Sequence, residues 1–313
     1  MPRCFVTRRL PGGALDRLAA EHEVDLWRAP RPPTRDEFVA HTREAEGLLS
    51  QLTEKVDEAL FEVCPGLRAV SNYAVGVDNV DLAAATARGI PVGHTPGVLT
   101  EATADLTFAL MLAAARRLSD AERAIRAGGW GWEPDFLLGH DVHGAVLGLI
   151  GLGRIGSAVA RRAEGFSMEV LYTSRNGGVP LEELLERSDF VSIHAPLTPE
   201  TRGLIDETAL RRMKHSAILV NTARGPIVDT NALVRALNQG WIAGAALDVT
   251  DPEPLPTEHP LLLCPNLTIA PHIGSATHAT REAMAEMAVD NLLAALRGER
   301  MPHCANPEVY ERG

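Results

Sequence analysis

An apolar run from Val146 to Ile150 leads into three glycines, Gly151, Gly153 and Gly156, in the order V-L-G-L-I-G-L-G-R-I-G. This spacing suits a strand that turns into a helix over a phosphate. Gly151 allows the tight turn, Gly153 lets the backbone approach a pyrophosphate, and Gly156 lets the helix pack on the strand. The helix from Ser157 to Gly165 would direct its N-terminal amides and positive dipole end at the same anion. Glycine-rich turns also serve plain strand-to-helix packing, but here the flanking context is right on both sides, so nucleotide binding is the favoured reading.

Nucleotide choice turns on an absence. NAD enzymes of this fold place Asp or Glu about 20 residues after the glycine turn, where it accepts hydrogen bonds from the ribose hydroxyls and repels a 2′-phosphate. The stretch 170–181 reads V-L-Y-T-S-R-N-G-G-V-P-L and contains no acid. Ser174 stands where the acid is expected, with Arg175 and Asn176 after it. A hydroxyl and a guanidinium would hold a phosphate, so NADPH is the expected cofactor, with NADH as a weaker alternative. A solvated loop arginine beside a site that accepts either cofactor is the competing reading.

Other residues are less specific alone. Arg224 lies between an apolar strand and Gly225, and strand ends beside a nucleotide are where sites form. His272, after Pro271 at a strand end, reads equally as a catalytic or a satisfied polar residue. Glu253, between Pro252 and Pro254, looks like solvated loop. The amides of Val75 and Gly76 could face an anion, or belong to a turn shaped only by its glycine.

The elements that must position these residues alternate strand and helix. Short apolar runs at Cys4 to Val6, Glu23 to Trp27, Gly47 to Ser50 and Leu67 to Ser71 are separated by helix-like stretches, the mark of a parallel βαβ sheet. Gly93 to Gly97 reads as a hinge. Thr100 to Ala127 reads as one long helix, so apolar in its first half that it should pack on a partner subunit as well as on its own domain. A second doubly wound sheet follows Gly156, with strands near Glu169 to Tyr172, Phe190 to His194, Ala217 to Asn221, Gly244 to Asp248 and Leu267 to Ile269. A last helix, Thr280 to Leu296, would return the chain to the first domain.

The 313 residues are enough for two domains, and 45% hydrophobic with 23% charged residues is ordinary for a globular protein. A net charge of −11 argues against a nucleic-acid surface. No apolar run approaches the roughly 20 residues that cross a bilayer, and the start reads as a first strand, not a signal peptide, so the cytoplasm is the expected compartment. Cys4, Cys64, Cys264 and Cys304 are too scattered for a metal site and read as reduced thiols.

Taken together, N-Y-A-V-G-V-D-N-V-D (72–81), V-L-T-E-A-T-A-D-L (98–106), the glycine turn, N-T-A-R-G (221–225), A-L-D-V-T-D-P-E-P-L (246–255) and P-H-I-G-S-A-T (271–277) resemble the D-isomer-specific 2-hydroxyacid dehydrogenase family. Within it they are most similar to the glyoxylate and hydroxypyruvate reductases. The resemblance implies an α/β chain of two doubly wound parallel-sheet domains. These are a flavodoxin-like substrate-binding domain, 1–97 plus 282–313, and a Rossmann dinucleotide-binding domain, 98–281. It implies a homodimer acting on a small 2-oxo or 2-hydroxy acid.

The family's catalytic set falls on Arg224, Glu253 and His272, and the chemistry needs those types. Arg224 grips the carboxylate and polarised carbonyl through a planar guanidinium that keeps its charge. His272, of a residue type that titrates near working pH, supplies the proton. Glu253 binds the other ring nitrogen. By the same resemblance Asp248 contacts the nicotinamide, against which Thr222, Ala223 and the stretch His272 to Gly274 also lie. Leu152, Gly153, Arg154 and Ile155 line the pyrophosphate with Thr103 nearby, and Pro196 packs on the adenine. Val75 and Gly76 join Arg224 in binding substrate, as does Trp132, which some relatives insert into the neighbouring subunit's site. An anchor for its own loop is the alternative role for Trp132. Phosphoglycerate and formate dehydrogenases are the rival enzymes, and a nicotinamide-nucleotide-sensing corepressor is the rival of a different class.

Overall fold

The structure is a computed structural model that describes residues 1–311. It divides into two compact units: Met1–Leu99 together with the chain from Ser275 onward, and Thr100–Gly274.

In the first unit, strands β1 (Arg3–Val6), β2 (Glu23–Leu26), β3 (Gly47–Ser50), β4 (Ala69–Asn72) and β5 (Val92–Gly93) form a parallel sheet in the order β2-β1-β3-β4-β5. This is the flavodoxin-like order. The middle strands β3 and β4 are buried throughout, as a sheet covered on both faces requires. One face packs on the helix His278–Leu296 through Met284, Val289 and Leu292; the other packs on Phe38, Leu60 and Phe61. That helix starts at His278, capped by the Thr277 side chain, and belongs to the first unit from its first turn. The second boundary therefore precedes the helix and does not fall within it at 281/282.

The stretch read as a hinge is partly anchored. Gly93 pairs in β5, the His94 amide bonds the His303 carbonyl at 3.1 Å, and the fully buried Thr95 bonds the Ala74 carbonyl at 2.8 Å. The unit boundary comes later, after Leu99.

The second unit holds β6 (Val146–Ile150), β7 (Glu169–Ser174), β8 (Gly177–Gly178), β9 (Phe190–Ile193), β10 (Ile218–Asn221), β11 (Gly244–Leu247) and β12 (Leu267–Ile269). Their order is β12-β11-β10-β9-β6-β7-β8, a Rossmann sheet in which the third strand is two antiparallel residues. The strand order reverses between β6 and β9, so the glycine turn after β6 stands at the switch point where such sheets bind ligands.

The helix expected from Thr100 to Ala127 is broken. It runs Thr100–Ala115, and a second helix, Leu118–Arg126, follows after Arg117 at φ 52°. The returning chain supplies the reason: the His140 amide takes the Ala115 carbonyl at 2.8 Å, a group that a continuous helix would have used internally. The apolar first half is also accounted for within its own unit, where Ala104, Phe108, Leu110 and Met111 are buried in the core beside Leu147, Leu149 and Val220. Exposed apolar side chains lie further on, at Leu118, Ile125, Trp130, Trp132, Phe136 and Leu138. Among the described residues no helix is long and apolar enough to cross a membrane.

Candidate active site

At the end of β6 the three glycines have separate tasks. Gly151 adopts φ 100°, where a Cβ would also lie 2.8 Å from the His194 carbonyl carbon. A Cβ on Gly156 would lie 2.2 Å from the Gly151 oxygen, so the helix packs directly on the turn. A Cβ on Gly153 would meet nothing within 4 Å, and Gly153 caps the helix Arg154–Glu164 without a side-chain bond. The helix thus presents its first amides on an open side, a cradle that fits a pyrophosphate. Beside it, burial pushes His194 down to about 4, so this ring stays uncharged; its Nε2 is 2.9 Å from the Ser192 hydroxyl.

At the end of β7 the Ser174 hydroxyl donates to the Gly177 carbonyl at 3.0 Å and accepts the Asn176 amide at 3.3 Å, closing the turn into β8. Arg175 is 77% exposed, with Nη2 3.8 Å from Glu200, an acid to which no sequence spacing points. A pair this exposed contributes little and leaves Arg175 available to another anion. Pro196 heads the turn that carries Glu200, its carbonyl accepting the Thr201 hydroxyl at 2.7 Å.

Three adjacent parallel strands, β10, β11 and β12, are followed at their carboxyl ends by Arg224, Glu253 and His272. After β10 the buried Asn221 folds the turn: its Oδ1 accepts the Ala223 amide at 3.0 Å and its Nδ2 donates to the Arg224 carbonyl at 2.9 Å. The spacing N-x-x-R carries this signal, since Asn side chains commonly close such turns. Gly225 packs so tightly that a Cβ there would lie 1.9 Å from the Thr250 oxygen. The Arg224 turn is therefore locked to the backbone three residues ahead of Glu253.

After β11 the carboxylate of Asp248, 2% exposed, accepts the Ile273 amide at 2.7 Å and the Gly274 amide at 2.8 Å, while its carbonyl accepts the His272 amide at 2.8 Å. Burial pushes the Asp248 carboxyl up, against those two amide bonds. One bond per carboxylate oxygen is thus spent on the loop carrying His272. That loop needs holding, because His272 sits at φ 54°, a left-handed conformation costing an L-residue about 1–2 kcal/mol. Thr103 donates to the Gly274 carbonyl at 3.3 Å, and Thr107 is 2.9 Å from Thr222, so both tie the helix Thr100–Ala115 to these strand ends.

His272 Nδ1 lies 2.5 Å from Glu253 Oε1. Partial burial alone would push the Glu253 carboxyl up. The hydrogen bond and charge of His272, the Thr250 amide and the charge of Arg224 outweigh it, and the group is held below its ordinary value. A carboxylate only accepts, so Nδ1 carries the proton, which leaves Nε2 as the ring atom able to exchange one. The geometry suits transfer of one proton next to a fixed guanidinium.

The model for the D-isomer specific 2-hydroxyacid dehydrogenase NAD binding domain matches residues 108–274. The chain belongs to the D-isomer specific 2-hydroxyacid dehydrogenases. It is 51% identical to a glyoxylate reductase of Korarchaeum cryptofilum over 99% of this chain and 97% of that protein. A crystal structure of a protein from Thermus thermophilus superposes with a TM-score of 0.92 at 52% identity, covering 97% of this chain and 99% of that one. An NADPH-dependent glyoxylate/hydroxypyruvate reductase from Sinorhizobium meliloti, solved with NADP and malonate, gives 0.84 at 36% identity over 98% and 97%. As a member of this family the chain is an NAD(P)-dependent oxidoreductase, and its second unit is the nicotinamide-nucleotide-binding one.

The strand ends of the second unit bring together Thr103, Thr222, Ala223, Arg224, Asp248, Glu253, His272 and Gly274. Trp132 is 84% exposed and packs on Trp130 at 5.9 Å, which is itself 67% exposed, so it does not anchor its loop in the core. Val75 and Gly76 follow β4 in the first unit.

Proposed function

We propose that this dehydrogenase reduces glyoxylate, and hydroxypyruvate as a second 2-oxo acid, to the corresponding 2-hydroxy acids with NADPH. The observation that carries the reading is the His272–Glu253 pair, 2.5 Å apart beside the Arg224 turn; the glyoxylate reductases at about half identity supply the substrate class. Arg224 binds the carboxylate and draws electron density from the carbonyl. His272 Nε2–H gives its proton to the carbonyl oxygen as the C–O bond gains charge, and takes it back in the reverse direction. Glu253 holds the ring and fixes its orientation through Nδ1. When bound, the reduced nicotinamide supplies the hydride. Initial rates of NADPH oxidation over a panel of small 2-oxo acids test this; turnover with larger 2-oxo acids but not with glyoxylate would overturn it.

For the cofactor, the support is the acid-free stretch 170–181 and the exposed guanidinium of Arg175. A 2′-phosphate would draw Arg175 from its weak contact with Glu200 into a charge-assisted bond. Arg175→Ala is expected to weaken NADPH binding by about 1.5–3 kcal/mol and leave NADH almost unaffected. Equal kcat/KM for the two cofactors in the unaltered protein refutes the preference.

The exposed apolar strip from Leu118 to Leu138 supports a two-fold homodimer formed through the second unit, because monomers rarely leave so many large apolar side chains in water. Sedimentation at micromolar protein is expected to give a dimer; a monomer there sinks the proposal. Four cysteines, all free, suit a reducing compartment such as the cytoplasm.

A further inference from the structure

The turn after β4 is anchored by three successive carbonyls. The Ala74 carbonyl accepts the Thr95 amide at 2.8 Å, the Val75 carbonyl lies 3.0 Å from His94 Nδ1, and the Gly76 carbonyl accepts Asn72 Nδ2 at 3.0 Å. Asn72 is fully buried and is itself held by Ser50 at 3.2 Å and by Asn79 at 3.0 Å. Asn79 in turn donates to the carbonyls of Gln51 and Glu54, so the turn is fastened to the loop after β3.

In a trans peptide the C=O and the following N–H point in opposite directions. Each anchored carbonyl therefore directs the next amide, of Val75, Gly76 or Val77, away from the donor that holds it. Among the described residues none of these three amides makes a hydrogen bond. A bond to a peptide carbonyl also strengthens the N–H of the same peptide as a donor. Successive outward amides form an anion-binding concavity.

Of the three anchors, one is a backbone amide and one a buried core side chain. The third, His94, is a half-buried ring whose Nδ1 must carry the proton, since a carbonyl only accepts. We propose that His94 is a positioning residue for substrate: it holds the Val75 carbonyl and so aims and polarises the Gly76 N–H for the substrate carboxylate. The proposal rests on reading the Val75–Gly76 turn as a carboxylate site.

The test uses the full-length protein with saturating NADPH. His94→Phe is expected to raise the KM for glyoxylate roughly three- to tenfold, the size of one hydrogen bond, with kcat within about twofold and NADPH affinity unchanged. His94→Asn, whose side-chain N–H can stand near the place of Nδ1–H, is expected to restore KM. Should the phenylalanine variant not fold, His94→Ala carries the same expectation. In the unaltered protein, oxamate as an unreactive carboxylate is expected to shift the Gly76 amide resonance. No shift overturns the reading of the turn and the proposal with it. A shift alongside an unchanged KM in His94→Phe overturns the role of His94 alone, as does a loss of kcat that His94→Asn does not restore.

Discussion

Replacing His272 with alanine is expected to lower kcat for glyoxylate by about 10²- to 10⁴-fold, the usual size of a general-acid contribution, with NADPH affinity nearly unchanged. The expected split follows from where the parts lie. The turn whose open side fits a pyrophosphate lies after β6, whereas His272 follows β12 and is held by Asp248 and Glu253. Alanine at φ 54° brings no larger side chain and keeps the amide bonds to Asp248, while the bond to Glu253 is lost. Stopped-flow turnover and cofactor titration by fluorescence measure the two quantities separately. Near-normal turnover in the variant would remove His272 from the proton-transfer role.

Gly225→Ala is expected to be nearly as damaging, although the residue bears no reactive group. Its new methyl would start 1.9 Å from the Thr250 oxygen, 2.1 Å from the Thr250 carbonyl carbon and 2.8 Å from the Asp251 nitrogen. All three are backbone atoms, so no side chain can rotate away. The Arg224 turn and the segment leading to Glu253 must separate, and a displacement of about 1 Å in positioned groups costs on the order of 10²-fold in rate. Overpacking adds a stability loss of about 1–3 kcal/mol. A fall in kcat/KM of at least about 10²-fold, with a lower thermal midpoint, is the expected result. Unchanged kcat/KM would mean that the spacing of these two segments does not matter to the reaction.

These two residues differ in how far the sequence alone reveals them. His272 is one of 11 histidines, with Pro271 before it, and residue type leaves its role open. Only the resemblance singles it out, together with Glu253, which its flanking prolines otherwise mark as solvated loop. Gly225 attracts notice only as the neighbour of Arg224. Its close approach to Thr250 is a contact between strand ends 25 residues apart, which no local spacing encodes. Asn221 and Asp248 are similar cases: their side chains spend their bonds on backbone amides that tertiary packing brings within reach.

Local residue order dictates the alternation of strands and helices, because burial on both faces makes each parallel strand a short apolar run. It also dictates the glycine turn, because a positive φ at Gly151 and a helix packed at a bare Cα at Gly156 each exclude a side chain there. The remaining features arise only in the folded chain. The helix from Thr100 stops at Ala115 because His140, 25 residues later, takes its last carbonyl. The apolar first half of that helix is covered by its own core, and the water-facing apolar strip lies instead at Leu118–Leu138. Glu200 faces Arg175 across a turn that neither segment shows alone. In each of these cases the deciding partner lies more than 20 residues away, where hydrogen bonds and sterics depend on the folded path and not on the local order of residues.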